Sequence, residues 1–277
     1  MRKSFLPLFL FFVFAANAQP SETVDLRWKI TDTLTYKTVM KDKKVEQEKA
    51  SEEVDTLAEK ANAFFKALQA QNVNLNYKTR LFPDKNNNID IEMLLCTAEA
   101  DTTLNIFSAT AAMNGNVVLR GKISREGELL SFYYKSAQNN LISVLFVLPA
   151  KPVKVGDTWP LQVDMINMDS GFIADSLSKK NEVLFEKIVE RNGDKLAVLK
   201  YDIEEYVSGD FGNGIMNMFN GKNNNQIYMK ISHQATGLFS IEKGMWMEYD
   251  GKMEIDTNFS MLGMGGKTQT EFKLVPE

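Results

Sequence analysis

The sequence is poor in the residues that catalytic and metal-binding sites use most. It has one histidine, His233, and one cysteine, Cys96, in 277 residues. A Ser-His-Asp or Cys-His site would depend on His233, and no Gly-x-Ser-x-Gly motif occurs. One cysteine forms no intrachain disulfide, and one histidine with one cysteine makes no zinc site without carboxylates. We therefore expect no catalytic residue, no metal ion and no cofactor.

Long apolar runs are also missing, apart from one near the N-terminus. The run Phe5–Phe14 follows the basic residues Arg2 and Lys3 and precedes the small-x-small sequence of residues 16–18. It is shorter than the roughly 20 residues that a membrane-spanning helix needs. This layout is typical of a secretory signal peptide. We expect residues 1–18 to be a signal peptide cleaved after Ala18, which places the protein in the periplasm or outside the cell.

An excess of basic charge is absent too. The chain has 32 basic and 36 acidic residues, and losing Arg2 and Lys3 changes its formal net charge from −4 to −6. A nucleic-acid partner would require a basic face, so we expect none. No later segment resembles a transmembrane helix, and no linker or fixed-period repeat divides the chain. Residues 19–277 are therefore expected to form a single β-rich domain.

One segment has the spacing of a long amphipathic helix. Ser51 is a suitable N-cap, and an apolar residue follows at every third or fourth position up to Leu68. The members of this stripe are Val54, Leu57, Ala58, Ala61, Phe64, Phe65 and Leu68. The spacing predicts a surface helix over residues 51–70, and a second, short helix is predicted over 137–147.

Most of the chain after residue 72 alternates between apolar and polar side chains, which predicts strands with one buried face. Asn192-Gly193 is the strongest hairpin signal, because this pair adopts the positive φ angles of a type I′ turn. We expect an α+β, β-rich fold in which a curved, half-barrel-like antiparallel β-meander packs on one long amphipathic helix.

Two acidic segments invite a functional interpretation. Residues 84–92 begin like a calcium loop, but Ile89 replaces its glycine and Leu95 replaces its bidentate glutamate, so a polar turn is expected. The carboxylates of Asp202, Glu204, Glu205 and Asp210 would suit a hydrolase only if two of them faced each other across a cleft. Carboxylates at this spacing are more often the wet face of a strand.

Methionine is unusually frequent, with 14 residues of which eight lie after position 215. Methionine fills irregular cores and also lines adaptable apolar pockets, whereas copper(I) binding by thioethers is a narrower alternative. Core packing explains most of these residues. An apolar pocket is the second interpretation, and its candidate ligand-binding residues are Phe64, Phe65, Met216, Phe219, Met245 and Met247.

The segment 148–159 contains Leu-Pro followed by Val-x-Val-Gly-Asp-x-Trp, and a second motif is Gly-Leu-Phe-Ser-Ile at 237–241. These motifs resemble uncharacterised secreted families of Gram-negative bacteria that are described only as domains of unknown function. The resemblance covers the middle and C-terminal half of the chain and implies no activity. Physically, the first motif predicts a strand, a Gly-Asp turn and a second strand, with Trp159 packed into the core.

These observations lead to three functional hypotheses. The first is a periplasmic or secreted binding or carrier module for a hydrophobic small molecule or lipid. The second is a structural or protein-interaction module of the cell envelope without a small ligand. The third is a carboxylate-based hydrolase, which depends on side chains between Asp202 and Asp210 converging in a cleft.

Overall fold

The computed structural model describes residues 23–46, 75–96, 115, 117–134, 144–166, 172–211, 226–258 and 266–277. Within these ranges the chain forms eleven β-strands and one helical turn at 144–146. The strands are β1 (Leu34–Glu46), β2 (Leu75–Pro83), β3 (Ile89–Cys96), β4 (Val117–Ile123), β5 (Leu129–Tyr134), β6 (Thr158–Pro160), β7 (Phe172–Arg191), β8 (Asp194–Phe211), β9 (Ile227–Ser240), β10 (Met245–Thr257) and β11 (Gly266–Pro276).

The predicted α+β class is wrong, because the described residues form a nearly all-β structure. All eleven strands belong to one antiparallel sheet, and the turn at 144–146 is the only helix in the described ranges. The helix predicted over 51–70 lies outside the described residues, as does the signal peptide predicted at 1–18. Of the short helix predicted over 137–147, the described residues show only the turn at 144–146. Buried side chains of the segment 23–30 and of the segment 144–148 pack into the core that we expected helices to cover.

The sheet consists of two antiparallel meanders, β1–β5 and β6–β11, which are joined by the pairing of the first strand with the last. The strand order is β5-β4-β3-β2-β1-β11-β10-β9-β8-β7-β6, so that β1 pairs with β11 at the centre. The hairpin predicted at Asn192-Gly193 is confirmed, because these two residues have φ angles of 55° and 81° between β7 and β8. Short turns of this kind set the register of the strands that they join.

The sheet is strongly curved. Trp28 N donates to Arg125 O in the β4–β5 turn (2.9 Å), and Lys29 N donates to Gly244 O in the β9–β10 turn (3.1 Å). Six strand-to-strand steps separate these turns, which in a flat sheet would be roughly 29 Å. Because Trp28 and Lys29 are adjacent in the chain, the two turns that they bind lie within about 10 Å of each other. The two halves of the sheet therefore face each other across a common interior.

Four aromatic side chains, which we call the aromatic plug, fill one end of this interior: Trp28, Phe146, Phe239 and Trp246. All four are fully buried. Phe239 meets both indoles edge-on, with ring centroids 5.4 Å from Trp28 and 5.1 Å from Trp246. Both indole N–H groups donate to the helical turn, to Phe146 O (3.0 Å) and Leu145 O (2.6 Å). The plug thus ties the N-terminal segment, the helical turn and the sheet together.

Candidate functional site

The strand register arranges the inner face into rows that run across the strands, away from the aromatic plug. The row nearest the plug contains Phe185, Leu199, Gly237, Tyr249 and Leu274. The central row contains Asn181, Ile203, His233, Met253 and Thr270. The row farthest from the plug, which we call the distal row, contains Leu177, Val207, Met229, Thr257 and Gly266.

The chain's one histidine lies in the interior and packs against a tyrosine. His233 Nε2 is 2.7 Å from Tyr249 Oη, and the two rings are nearly parallel. Gly251 makes room for this pair, because a Cβ there would lie 2.9 Å from His233 Cε1. Burial lowers the pKa of His233 to about 4 and raises the pKa of Tyr249. At neutral pH, His233 is therefore an uncharged core residue.

Glu205 is the only carboxylate buried in the described part of the chain, at 4 % exposed. It accepts hydrogen bonds from Ile166 N (3.0 Å) and Asn181 Nδ2 (3.2 Å), and Lys179 Nζ lies 3.4 Å away. Lys179 Nζ also donates to Val163 O, and its pKa is raised despite its partial burial, with Asp164 and Glu205 favouring its charged form. This network fastens the segment 161–166 to β7 and β8.

The other acidic side chains on β8 do not join Glu205. Asp202 and Glu204 lie on the outer face, where they form ion pairs with Lys180 (2.6 Å) and Lys230 (2.9 Å). Asp210 is exposed on the same outer face. No two of these carboxylates face each other across a cleft, which is the geometry that the hydrolase hypothesis required.

The calcium-like segment forms a turn that is held by a lysine. Asp84 Oδ1 accepts hydrogen bonds from the backbone N–H groups of Asn86 (2.7 Å) and Asn88 (2.9 Å). Lys122 Nζ lies 2.7 Å from Asp84 Oδ2 and 3.3 Å from Asp90 Oδ1, and lowers the pKa of Asp84. An ammonium group therefore occupies the position where a cation would bind. Over the described ranges, no three His, Cys, Asp or Glu side chains group closely enough to hold a metal ion.

The distal half of the inner face is less covered than the half beside the plug. Leu177 faces inward opposite Val207, yet 72 % of it is exposed. Met229, Met253 and Ile255 also face inward on the neighbouring strands and are only half-buried. Beside the plug, by contrast, Phe185, Leu199, Tyr249 and Leu274 are fully buried. The described residues therefore leave the distal part of the apolar inner face partly exposed.

The six candidate ligand-binding residues from the sequence fall in two groups. Phe64, Phe65, Met216 and Phe219 lie outside the described residues. Met245 and Met247 are half-buried at the start of β10, and Met245 packs against the core. A bulge between Trp246 and Glu248 shifts the alternation there, so that Trp246 and Tyr249 face inward.

Sequence reasoning missed Leu177 and Met229 as inner-face residues. Leu177 stands in a mostly polar stretch beside the bulge at residues 174–176, which hides its alternation. Met229 is flanked by Tyr228 and Lys230, all three half-buried, and only the pairing with Val207 assigns its side. Both assignments therefore require the strand register.

Comparisons with known proteins leave the family open. No protein-family model matches the chain, and a search of curated proteins finds no match. The resemblance of segment 148–159 to secreted families of unknown function stays a prediction. The part of the chain that the structure describes contains no helix with the length and apolarity needed to cross a membrane.

Proposed function

We propose that this protein binds a hydrophobic or lipid-like molecule on the distal half of the inner face of its curved sheet. The observation that carries the proposal is Leu177, a large apolar side chain that faces inward and is 72 % exposed. Burying an exposed leucine stabilises a complex by about 1.5–3 kcal/mol, so a ligand that covers it gains affinity.

The surroundings of Leu177 support an apolar ligand. The neighbouring apolar side chains that face inward include Val207, Met229 and Ile255. The nearest inward charges, Lys179 and Glu205, lie on the side towards the central row and pair with each other at 3.4 Å. Methionine adapts its shape to varied apolar partners, which suits a site for a flexible chain. The aromatic plug closes the other end of the interior, so a ligand would enter from the distal row.

A carrier in the periplasm or outside the cell agrees with the secretory leader predicted at residues 1–18. The buried His233–Tyr249 pair and the tethered Glu205 provide no nucleophile with an adjacent free base. The described inner face therefore favours binding over hydrolysis.

The test uses N-phenyl-1-naphthylamine, an uncharged fluorescent probe, with delipidated protein. Leu177→Ser removes the exposed apolar side chain from the inner face and should weaken probe binding about tenfold, from the burial energy of leucine. Ile173→Ser is the matched control, because Ile173 lies on the outer face of the same strand, at 62 % exposed. The control should bind the probe like the parent protein.

Two results would count against the proposal. If the parent protein does not bind the probe, the alternative of an envelope module without a small ligand is favoured. If both variants weaken binding equally, the probe is on the surface of β7 and the inner face is not the site.

A further inference from the structure

Two buried polar atoms on the inner face lack hydrogen-bond partners among the described residues, Trp159 Nε1 and Asn181 Oδ1. Buried polar groups in native proteins almost always have a partner, so each exception needs an explanation. An indole N–H can only donate, and an amide oxygen can only accept. The two atoms together are therefore complementary to one group that accepts and donates at once.

The strand register places these two side chains next to each other. Trp159 of β6 lies opposite Val183 of β7, and Asn181 lies two residues away on the same face. Such diagonal neighbours have Cα atoms about 7–8 Å apart, which is within reach of an aromatic side chain. A hydroxyl oxygen about 2.8–3.0 Å from each atom would bridge them.

The orientation of the Asn181 amide is fixed by its surroundings. Asn181 Nδ2 donates to Val163 O (3.0 Å) and to Glu205 Oε1 (3.2 Å), and both partners are acceptors. A flipped amide would set its oxygen against these two oxygens, which is repulsive. Asn181 Oδ1 is therefore the atom that is presented for binding.

Trp159 differs from the two other tryptophans of the chain. The indole N–H groups of Trp28 and Trp246 both donate to backbone carbonyls in the interior. Trp159 packs against the same core through its ring, but its buried N–H has no such acceptor within the ranges that the structure describes. Core packing accounts for the position of the Trp159 ring but provides no partner for its indole N–H group.

We propose that Trp159 and Asn181 form a subsite for the hydroxyl group of an uncharged, hydroxylated apolar ligand, which rests on the proposed function. A carboxylate or a fully ionised phosphate is disfavoured, because it has no hydrogen to donate to Asn181 Oδ1. An ammonium group offers no acceptor for the Trp159 N–H. Water has the same hydrogen-bonding groups as an alcohol, so the test separates the two.

The test compares 1-tetradecanol with pentadecane, in which a methyl group replaces the hydroxyl, and with tetradecanoate. Each compound displaces N-phenyl-1-naphthylamine from the full-length chain. A site that hydrogen-bonds a hydroxyl rejects an analogue without it, so tetradecanol should bind at least tenfold tighter than either competitor. Trp159→Phe replaces the indole by a smaller aromatic ring that has no hydrogen-bond donor, and should abolish most of this preference.

Nuclear magnetic resonance of the 15N-labelled protein gives a second measurement that does not depend on the variant folding. Three indole N–H signals are expected, from Trp28, Trp159 and Trp246. The Trp159 signal is assigned through its contacts with the methyl groups of Val183 in the parent protein. Tetradecanol should move this signal and leave the other two in place, and pentadecane should move none of the three.

The outcomes separate this inference from the proposed function. If the probe binds but tetradecanol and pentadecane displace it equally, the subsite is wrong and the proposed function stands. If tetradecanol binds and the Trp159 signal does not move, water fills the position and the subsite is also wrong. If the probe itself does not bind, the proposed function fails first.

Discussion

Removing the buried histidine should change how stability depends on pH. His233 is 6 % exposed, and burial lowers its pKa from the ordinary 6.5 to about 4. Above pH 6.5 both the folded and the unfolded chain carry a neutral imidazole. As the pH falls, the unfolded chain binds a proton that the folded chain excludes, so the free energy of unfolding decreases until the pH passes below about 4.

The size of the effect follows from the two pKa values. Between pH 7.5 and pH 5, the parent protein should lose about 2 kcal/mol of unfolding free energy through this group. His233 is the chain's only histidine, and side-chain carboxylates titrate mostly below this window. His233→Gln keeps a polar side chain beside Tyr249 but does not titrate, so its stability should change little over the same window.

The assay is urea denaturation followed by tryptophan fluorescence at pH 7.5, 6.5, 5.5 and 5. The reasoning is refuted if parent and variant lose stability in parallel between pH 7.5 and 5. It is also refuted if nuclear magnetic resonance places the pKa of His233 in the folded protein near 6.5. This second measurement covers the case in which the variant does not fold.

Two further predictions concern the glycines that shape the sheet. Gly237→Ala should destabilise the fold by about 1–3 kcal/mol in urea denaturation, because the new Cβ would lie 2.5 Å from Cζ3 of the buried Trp246; an unchanged midpoint would contradict the packing of the plug. Gly193→Ala should cost about 1 kcal/mol through backbone strain alone, since its φ is 81° and no atom lies within 4 Å of the added Cβ. Gly193→Asn should cost less, because asparagine tolerates positive φ, as Asn192 does at 55°.

Strand positions were the most predictable part of the fold, because alternation and turn residues are local signals. The Asn192-Gly193 hairpin and the alternation of β3 from Ile89 to Leu95 follow directly from the residues. The pairing of β1 with β11 was not predictable, since it joins segments more than 200 residues apart. The curvature depends on this long-range pairing and on bulges, which alternation alone does not locate.

The inner face was only partly predictable for the same reason. Met253 and Ile255 follow the alternation of β10 and face inward. The bulge between Trp246 and Glu248 breaks that alternation at the start of the strand, and a one-residue shift exchanges the two faces. The partnerless atoms of Trp159 and Asn181 depend on packing between two strands, for which the sequence carries no signal.

The most direct test of the central claim follows the methionine methyl groups while an apolar ligand binds. Protein labelled with [methyl-13C]methionine is titrated with N-phenyl-1-naphthylamine, and the signals are assigned by single methionine-to-leucine substitutions. Met229 and Met253 face inward in the distal half, whereas Met245 packs near the aromatic plug. The account predicts that Met229 and Met253 shift on binding and show contacts with the probe, while Met245 does not. A saturated complex in which Met229 and Met253 remain unchanged would contradict it.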